Sequence, residues 1–192
     1  MGTTQPIRDL DELERLKNYY LTDHPNLRNY ALIHTGLNTA LRISDILSLR
    51  WRDVYNFDRK QFQKYIIINE KKTGKRTCIA INQSLNRTLA MYMEEIGEPE
   101  PEDFLFEGRL HGAPLCRSQA FRIIKRACAD LSFSCQISCH SLRKTFGYQA
   151  YNAGVNPTML MMIFNHSSFA VTKRYLGIEQ EDKDQVFLNI NL

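Results

Sequence analysis

At 192 residues, with 43% hydrophobic and 24% charged side chains, the chain has the composition of one folded domain. It is neither disordered nor, lacking an apolar run of spanning length, embedded in a membrane. The net charge of +4 is unevenly spread: Arg42 to Arg87 holds eleven Lys or Arg against four Asp or Glu, Phe104 to Leu176 nine against two, and acids crowd "EEIGEPEPED" and "GIEQEDKDQ". Such segregation suits a polyanion such as DNA, although an ordinary solvated surface can show the same counts.

The predicted elements are mostly helical. "DLDELERLKNYYLT" opens with a capping box at Asp9 and Glu12 and carries Leu10, Leu13, Leu16 and Tyr20 on one stripe; "NLRNYALIHTGLNTA" follows Pro25 with Asn26 as its cap. A short helix, "RISDILSL", comes next, and "WRDV" reads as a third short strand beside a hairpin. The hairpin pairs "KYIIIN" with "TCIAIN", both rich in β-branched residues, across "EKKTGKR", where Gly74 supplies the turn. Asn82 caps "QSLNRTLAMYMEEIG", which stops at Gly97 before a surface Pro/Glu loop. Helices over "RSQAFRIIKRACADL", "HSLRKTFGYQAYNA", a segment starting at Asn156 and Pro157, and "FAVTKRYLG" complete the chain; the run "TMLMMIF" and the pair Tyr148 and Tyr151 read as core. The expected fold class is mainly α with a small antiparallel β-sheet.

The opening "MGTTQPIRDLDELERL" has no basic stretch leading into an apolar core, so the reducing cytoplasm is the expected compartment. Five cysteines without a CxxC pair read as free thiols. Cys135, Cys139 and His140 in "CQISCH" offer at most three zinc ligands with no fourth nearby, so no metal is expected.

Candidate chemistry lies in four places. His140 and Arg143 stand three apart on one helix and can reach a single oxyanion or phosphate, although a capping histidine and a solvated arginine would give the same pattern. His166 precedes Tyr175 by nine residues. Arg42 begins the short helix with Asp45 three residues on, placed to buttress its guanidinium. Lys72 sits in the exposed hairpin turn, from which a long basic side chain can enter a nucleic-acid groove.

In this order the four places resemble the catalytic domain of the tyrosine recombinases, the phage integrase family. "TALRISDILSLRWRDV" is similar to the family's first box, with Ala40 for a glycine and Asp45 for the usual glutamate; "KTGKRTCIAI" matches the hairpin lysine followed by Thr-Gly. His140/Arg143 match His-x-x-Arg, and His166/Tyr175 match the histidine that precedes the nucleophilic tyrosine. HxxR alone is a weak pattern, but four boxes in order are specific, and the resemblance runs from about Asp9 through Tyr175.

The resemblance implies a site-specific recombinase or integrase fold and activity: strand cleavage and rejoining through a 3′-phosphotyrosine. Arg42 and Arg143 would stabilise the five-coordinate phosphorus, as planar, permanently charged forks can. Tyr175 would be the nucleophile, Lys72 the acid for the leaving 5′ oxygen, His140 the base, and His166 a hydrogen-bond donor to phosphate. Asp45 would support Arg42. DNA contacts are expected from Lys71, Lys75, Arg76, Lys144 and Lys173. Double-stranded DNA is the implied partner, bound as a homotetramer by a chain that is monomeric when free; no cofactor, metal, membrane or small-molecule substrate is implied. A type IB topoisomerase-like enzyme and a non-catalytic DNA-binding module of the same fold remain the alternatives. Residues 1–192 are expected to form a single catalytic domain without the family's N-terminal DNA clamp, and residues 177–192 a tail that docks on a neighbouring subunit or packs in cis.

Overall fold

The computed structural model describes residues 4–133, 136–178 and 187–190. Helices α1 (Leu10–Tyr19) and α2 (Leu27–Thr39) start where their caps dictate: Asp9 accepts from the Glu12 N–H at 2.8 Å and Asn26 from the Asn29 N–H at 2.9 Å, each pairing an amide that lacks a helical partner. α2 is the central strut. Ala31 and Leu32 face a core built with Leu49, Trp51, Leu85, Leu89 and Phe106, while Tyr30 and Ile33 face a second built with Ile7, Leu16, Tyr19, Ile124 and Leu142. The helix is buried on nearly every side rather than along one stripe, with Asn29, His34, Thr35 and Thr39 enclosed beside its apolar residues. Each fully buried large side chain contributes roughly 1.5–3 kcal/mol relative to exposure.

After two short helices, α3 (Ile43–Ile46) and α4 (Trp51–Val54), the chain turns to strands. "WRDV" is therefore helical rather than a strand. Asp53 closes the first turn onto the Arg50 N–H at 2.8 Å, and Trp51 and Val54, three apart, both enter the core, a helical spacing that a strand would split between its two faces. Extended structure begins one residue later, where β1 (Tyr55–Asn56) pairs with β2 (Gln61–Phe62) in a sheet of its own. The predicted hairpin forms from β3 (Tyr65–Asn69) and β4 (Arg76–Ala80) with Ile66 opposite Ile79 and Asn69 opposite Arg76; Gly74 takes the left-handed turn conformation at φ 67°.

Helices α5 (Gln83–Ile96) and α6 (Arg117–Asp130) flank the first half, and α7 (Cys139–Asn152) crosses α2. The last two, α8 (Pro157–Phe164) and α9 (Phe169–Leu176), form a smaller third core through Leu160, Phe164 and Leu176. Gly147 on α7 permits their approach: a Cβ there would lie 2.5 Å from side-chain atoms of both Phe164 and Leu176.

The "TMLMMIF" run does not pack as a block. Leu160 and Phe164 are buried, but Met159 is 51% and Met162 64% exposed, because α8 has a partner on one face only. Tyr148 is buried and Tyr151 half-buried. Among the described residues no helix is long and apolar enough to cross a membrane.

Candidate active site

Three backbone terminations bring the candidate residues together. α2 ends at Ala40, which adopts the left-handed conformation at φ 54°, and the chain then turns so that Arg42 caps α3 in an extended conformation. α8 ends at Asn165, also left-handed, leaving His166 in the short loop before α9. Ser138 caps α7 by accepting from the His140 N–H, placing His140 in its first turn.

Arg143 joins the first two terminations. Its guanidinium donates to the Ala40 carbonyl and, at 3.1 Å, to the Phe164 carbonyl, and lies 5.0 Å over the Phe164 ring. Carbonyls at helix C-termini lack helical donors and carry the negative end of the dipole, so two helices present their acceptors to one fixed cation. Arg143 is 2% exposed, and its Nε has no hydrogen-bond partner.

Tyr175 is packed among rings: His166 at 4.9 Å, His140 at 5.0 Å and Phe164 at 5.0 Å between centroids. Its hydroxyl is buried without a hydrogen-bond partner. Burial pushes its pKa up to about 12 against the opposing pull of Arg143 and Arg42. The phenol is therefore protonated at neutral pH and needs a base to attack. His166 Nδ1 lies 3.0 Å from Thr172 Oγ1, which fixes the ring, while desolvation and the charges of Arg143 and Arg42 hold its pKa below the ordinary value. His140 is exposed at the cleft, yet partial loss of solvent and then Lys144, Arg143, Arg42 and His166 bring its pKa down to about 4, so the ring is neutral at neutral pH.

Lys72, Arg42 and His140 line one cleft of ≈ 790 Å³ together with Lys71 and Arg117. His140 thus stands at the junction of the cleft and the ring cluster around Tyr175, and the six candidate residues fall in one neighbourhood. Lys71, Lys75 and Arg76 are exposed on the same hairpin and Lys173 is half-buried on α9.

Two expectations are corrected. Asp45 does not hold Arg42: Arg42 Nη1 pairs with Glu70 Oε2 at 2.6 Å, whereas Asp45 Oδ1 accepts from the Lys71 N–H at 2.9 Å and Oδ2 has no hydrogen-bond partner. The reason is local: Arg42 is an extended cap residue, and the helical rule that brings positions three apart together does not govern its side chain. Lys144, expected among the DNA contacts, is buried rather than at the surface. It lies one turn beyond His140, is 7% exposed, donates to the Thr4 carbonyl at 2.6 Å and sits 5.4 Å over the Tyr175 ring.

Glu70 and Arg117 escaped sequence reasoning. Glu70 is 1% exposed and takes hydrogen bonds from Arg42, Thr73 and Asn165. Burial pushes its carboxyl up, but Arg42 and Thr73 outweigh this and hold its pKa below the ordinary value. Its signal was available: it is the only acid between Asp58 and Glu94, and it closes an apolar strand. Arg117, at the start of α6, showed no signal beyond its charge. Cys135 lies outside the described residues, so its neighbourhood with Cys139 and His140 does too.

Residues 8–182 match the model of the phage integrase family. The chain is 39% identical over 181 residues to the probable integrase/recombinase YoeC of Bacillus subtilis, covering 94% of this chain and 93% of that protein. It is 26% identical to a tyrosine recombinase of Pseudothermotoga lettingae, covering 90% of this chain but 56% of the relative, and 24% identical to the tyrosine recombinase XerC of Halalkalibacterium halodurans, covering 92% and 59%. Among solved structures, XerA recombinase superposes with a TM-score of 0.78 at 19% identity over 99% of this chain and 68% of that one. XerH site-specific recombinase does so at 0.75 and 18% identity over 97% and 53%. In fold and in sequence, the chain belongs to the phage integrase family of tyrosine recombinases.

Proposed function

We propose that this chain is the catalytic domain of a site-specific DNA recombinase or integrase that cuts and rejoins strands through a covalent 3′-phosphotyrosine. One observation carries the reading: the Tyr175 hydroxyl, a neutral His140, His166 and Arg143 meet beside a cleft that also holds Arg42 and Lys72. A backbone phosphate seated between the arginines is attacked by the Tyr175 oxygen. The new phosphorus–oxygen bond forms as the bond to the 5′ oxygen breaks. The phenolic proton passes to His140, and Lys72 supplies a proton to the leaving oxygen. Charge neutralisation comes from two guanidinium groups, and no step is assigned to a metal. Since the bond energy is kept in the phosphotyrosine, a second 5′ hydroxyl can reverse the step on a new partner strand.

Double-stranded DNA is the partner this reading requires. XerH was solved on a palindromic difH substrate and the Tn1549 integrase on circular-intermediate DNA, in support of the same ligand class here. Lys71, Lys75, Arg76, Arg117 and Lys173 provide the basic rim, and the enzyme works in the cytoplasm. Four copies assemble on DNA from monomers, each tail docking on a neighbour. In support, Phe187, Leu188 and Ile190 are exposed in the tail, and Met159, Met162 and Ile163 form an open apolar face on α8.

The test is a nicked duplex, selected for binding from random sequence, incubated with the protein and then denatured. A protein–DNA adduct resistant to denaturant is expected with wild type and absent with Tyr175→Phe at unchanged DNA affinity. Binding without adduct on any selected duplex would leave a non-catalytic DNA-binding module.

A further inference from the structure

We infer that Glu70 is a positioning residue that couples the two halves of the site, aiming Arg42 into the cleft and anchoring the Lys72 loop, so that phosphate-charge stabilisation and leaving-group protonation engage together. The assignment rests on the recombinase reading above. Its ground is the number of separate segments that end on one enclosed carboxylate. Oε2 accepts from Arg42 Nη1 at 2.6 Å and from Thr73 Oγ1 at 2.9 Å; Oε1 accepts from Asn165 Nδ2 at 3.1 Å and Thr77 Oγ1 at 3.4 Å. These donors come from the cap of α3, the hairpin turn, the residue before His166, and β4.

The Glu70 backbone grips the same turn. Its N–H donates to the Lys75 carbonyl at 2.9 Å and its carbonyl accepts from the Gly74 N–H at 2.8 Å, while Asp45 Oδ1 holds the Lys71 N–H from below. Lys72 is left on a turn fastened on both sides, with its own side chain exposed at the cleft. A carboxylate at the surface would hold Arg42 weakly, since exposed pairs lose most of their attraction to solvent. Enclosed and fully hydrogen-bonded, Glu70 fixes one edge of the guanidinium and leaves the rest of the fork for phosphate. The pairing also explains why Asp45 can serve the loop instead of Arg42.

The experiment compares single-turnover cleavage of the nicked duplex by wild type, Glu70→Gln, Arg42→Lys and the double variant, alongside DNA affinity and thermal stability. Glu70→Gln keeps the shape and removes the charge. Its cleavage rate should fall roughly 10- to 100-fold, the span that losing an outer supporting partner costs at preorganised metal sites, with DNA affinity within about twofold of wild type. Because one arm of Glu70 acts through Arg42, adding Glu70→Gln to Arg42→Lys should slow cleavage by clearly less than Glu70→Gln slows the wild type, the remainder being the Lys72 arm. Glu70→Asp, which keeps the charge, should recover part of the rate.

A second substrate separates the two arms. With sulfur in place of the bridging 5′ oxygen the leaving group needs no acid, so the part of the Glu70→Gln defect that runs through Lys72 should disappear and the part through Arg42 persist. Rates that multiply in full in the double variant, as for two independent residues, or a Glu70→Gln rate equal to wild type, would overturn the assignment. So would a loss of rate tracking only a loss of thermal stability. A wild-type protein that binds the duplex and forms no adduct would overturn the recombinase reading itself, a different result from any of these.

Discussion

Arg143 shows how much of the site depends on single side chains. One planar fork spans two helix-terminal carbonyls and an aromatic face, and a lysine, with one point of charge, cannot reproduce that span. Arg143→Lys should lower adduct formation roughly 10²–10³-fold, the cost of removing one oxyanion donor elsewhere, while binding of the same duplex changes much less. Equal losses in cleavage and binding would argue against a transition-state role. His34 makes the second prediction at this scale. It is 3% exposed, Nδ1 is unpaired, Nε2 faces the Lys17 carbonyl at 3.3 Å, and burial brings its pKa from the ordinary 6.5 down to about 4. The unfolded chain binds this proton first, so the associated stability is intact above pH 6.5 and is lost as pH falls towards 4, up to about 3 kcal/mol. Denaturant titrations at pH 7 and pH 4.5 should show the loss and His34→Gln should reduce it; an unchanged pH slope in the variant would refute it. The boxes of the family resemblance made Arg42, His140, Arg143, His166 and Tyr175 legible in sequence, whereas Glu70 stood out only as an isolated acid, since Arg42 and Asn165 among its partners lie 28 and 95 residues away.

At the scale of elements, caps and turns were the readable part: Asp9, Asn26, Asn82 and Gly74 stop or start the chain where local hydrogen bonding and φ require. What could not be read was which faces find a partner. "TMLMMIF" is apolar throughout, yet packing on one side only divides it, and "WRDV" was taken by a helical turn because the core needed Trp51 and Val54 together. The division has a measurable consequence. Met162→Ser should change stability by less than about 0.5 kcal/mol, as exposed substitutions do, whereas Phe164→Ala two residues on should cost about 3–5 kcal/mol. Equal costs would mean that α8 is buried on both faces in solution. Gly147→Ala tests how α9 is seated: the added methyl meets Phe164 and Leu176 at 2.5 Å, so about 1–3 kcal/mol should be lost and adduct formation should fall with it.

For the whole molecule, two large cores lie on either side of α2, and a small third core carries α9 with Tyr175 packed against it. On the proposed function, that division suits Tyr175 as the nucleophile, whose hydroxyl is buried and unpaired in this structure. The charge counts treated the acidic and basic stretches as separate, whereas Glu102 pairs with both Arg50 and Arg52, so part of the acidic run is turned back on the basic stretch. The most direct measurement is to trap the adduct on nicked duplex in the presence of a chelator, digest it with trypsin and nuclease, and locate the residual nucleotide by mass spectrometry. The account predicts a phosphodiester on Tyr175, within the peptide Tyr175–Lys183, formed equally with and without chelator. A nucleotide on any other residue, or an adduct that the chelator abolishes, would contradict it.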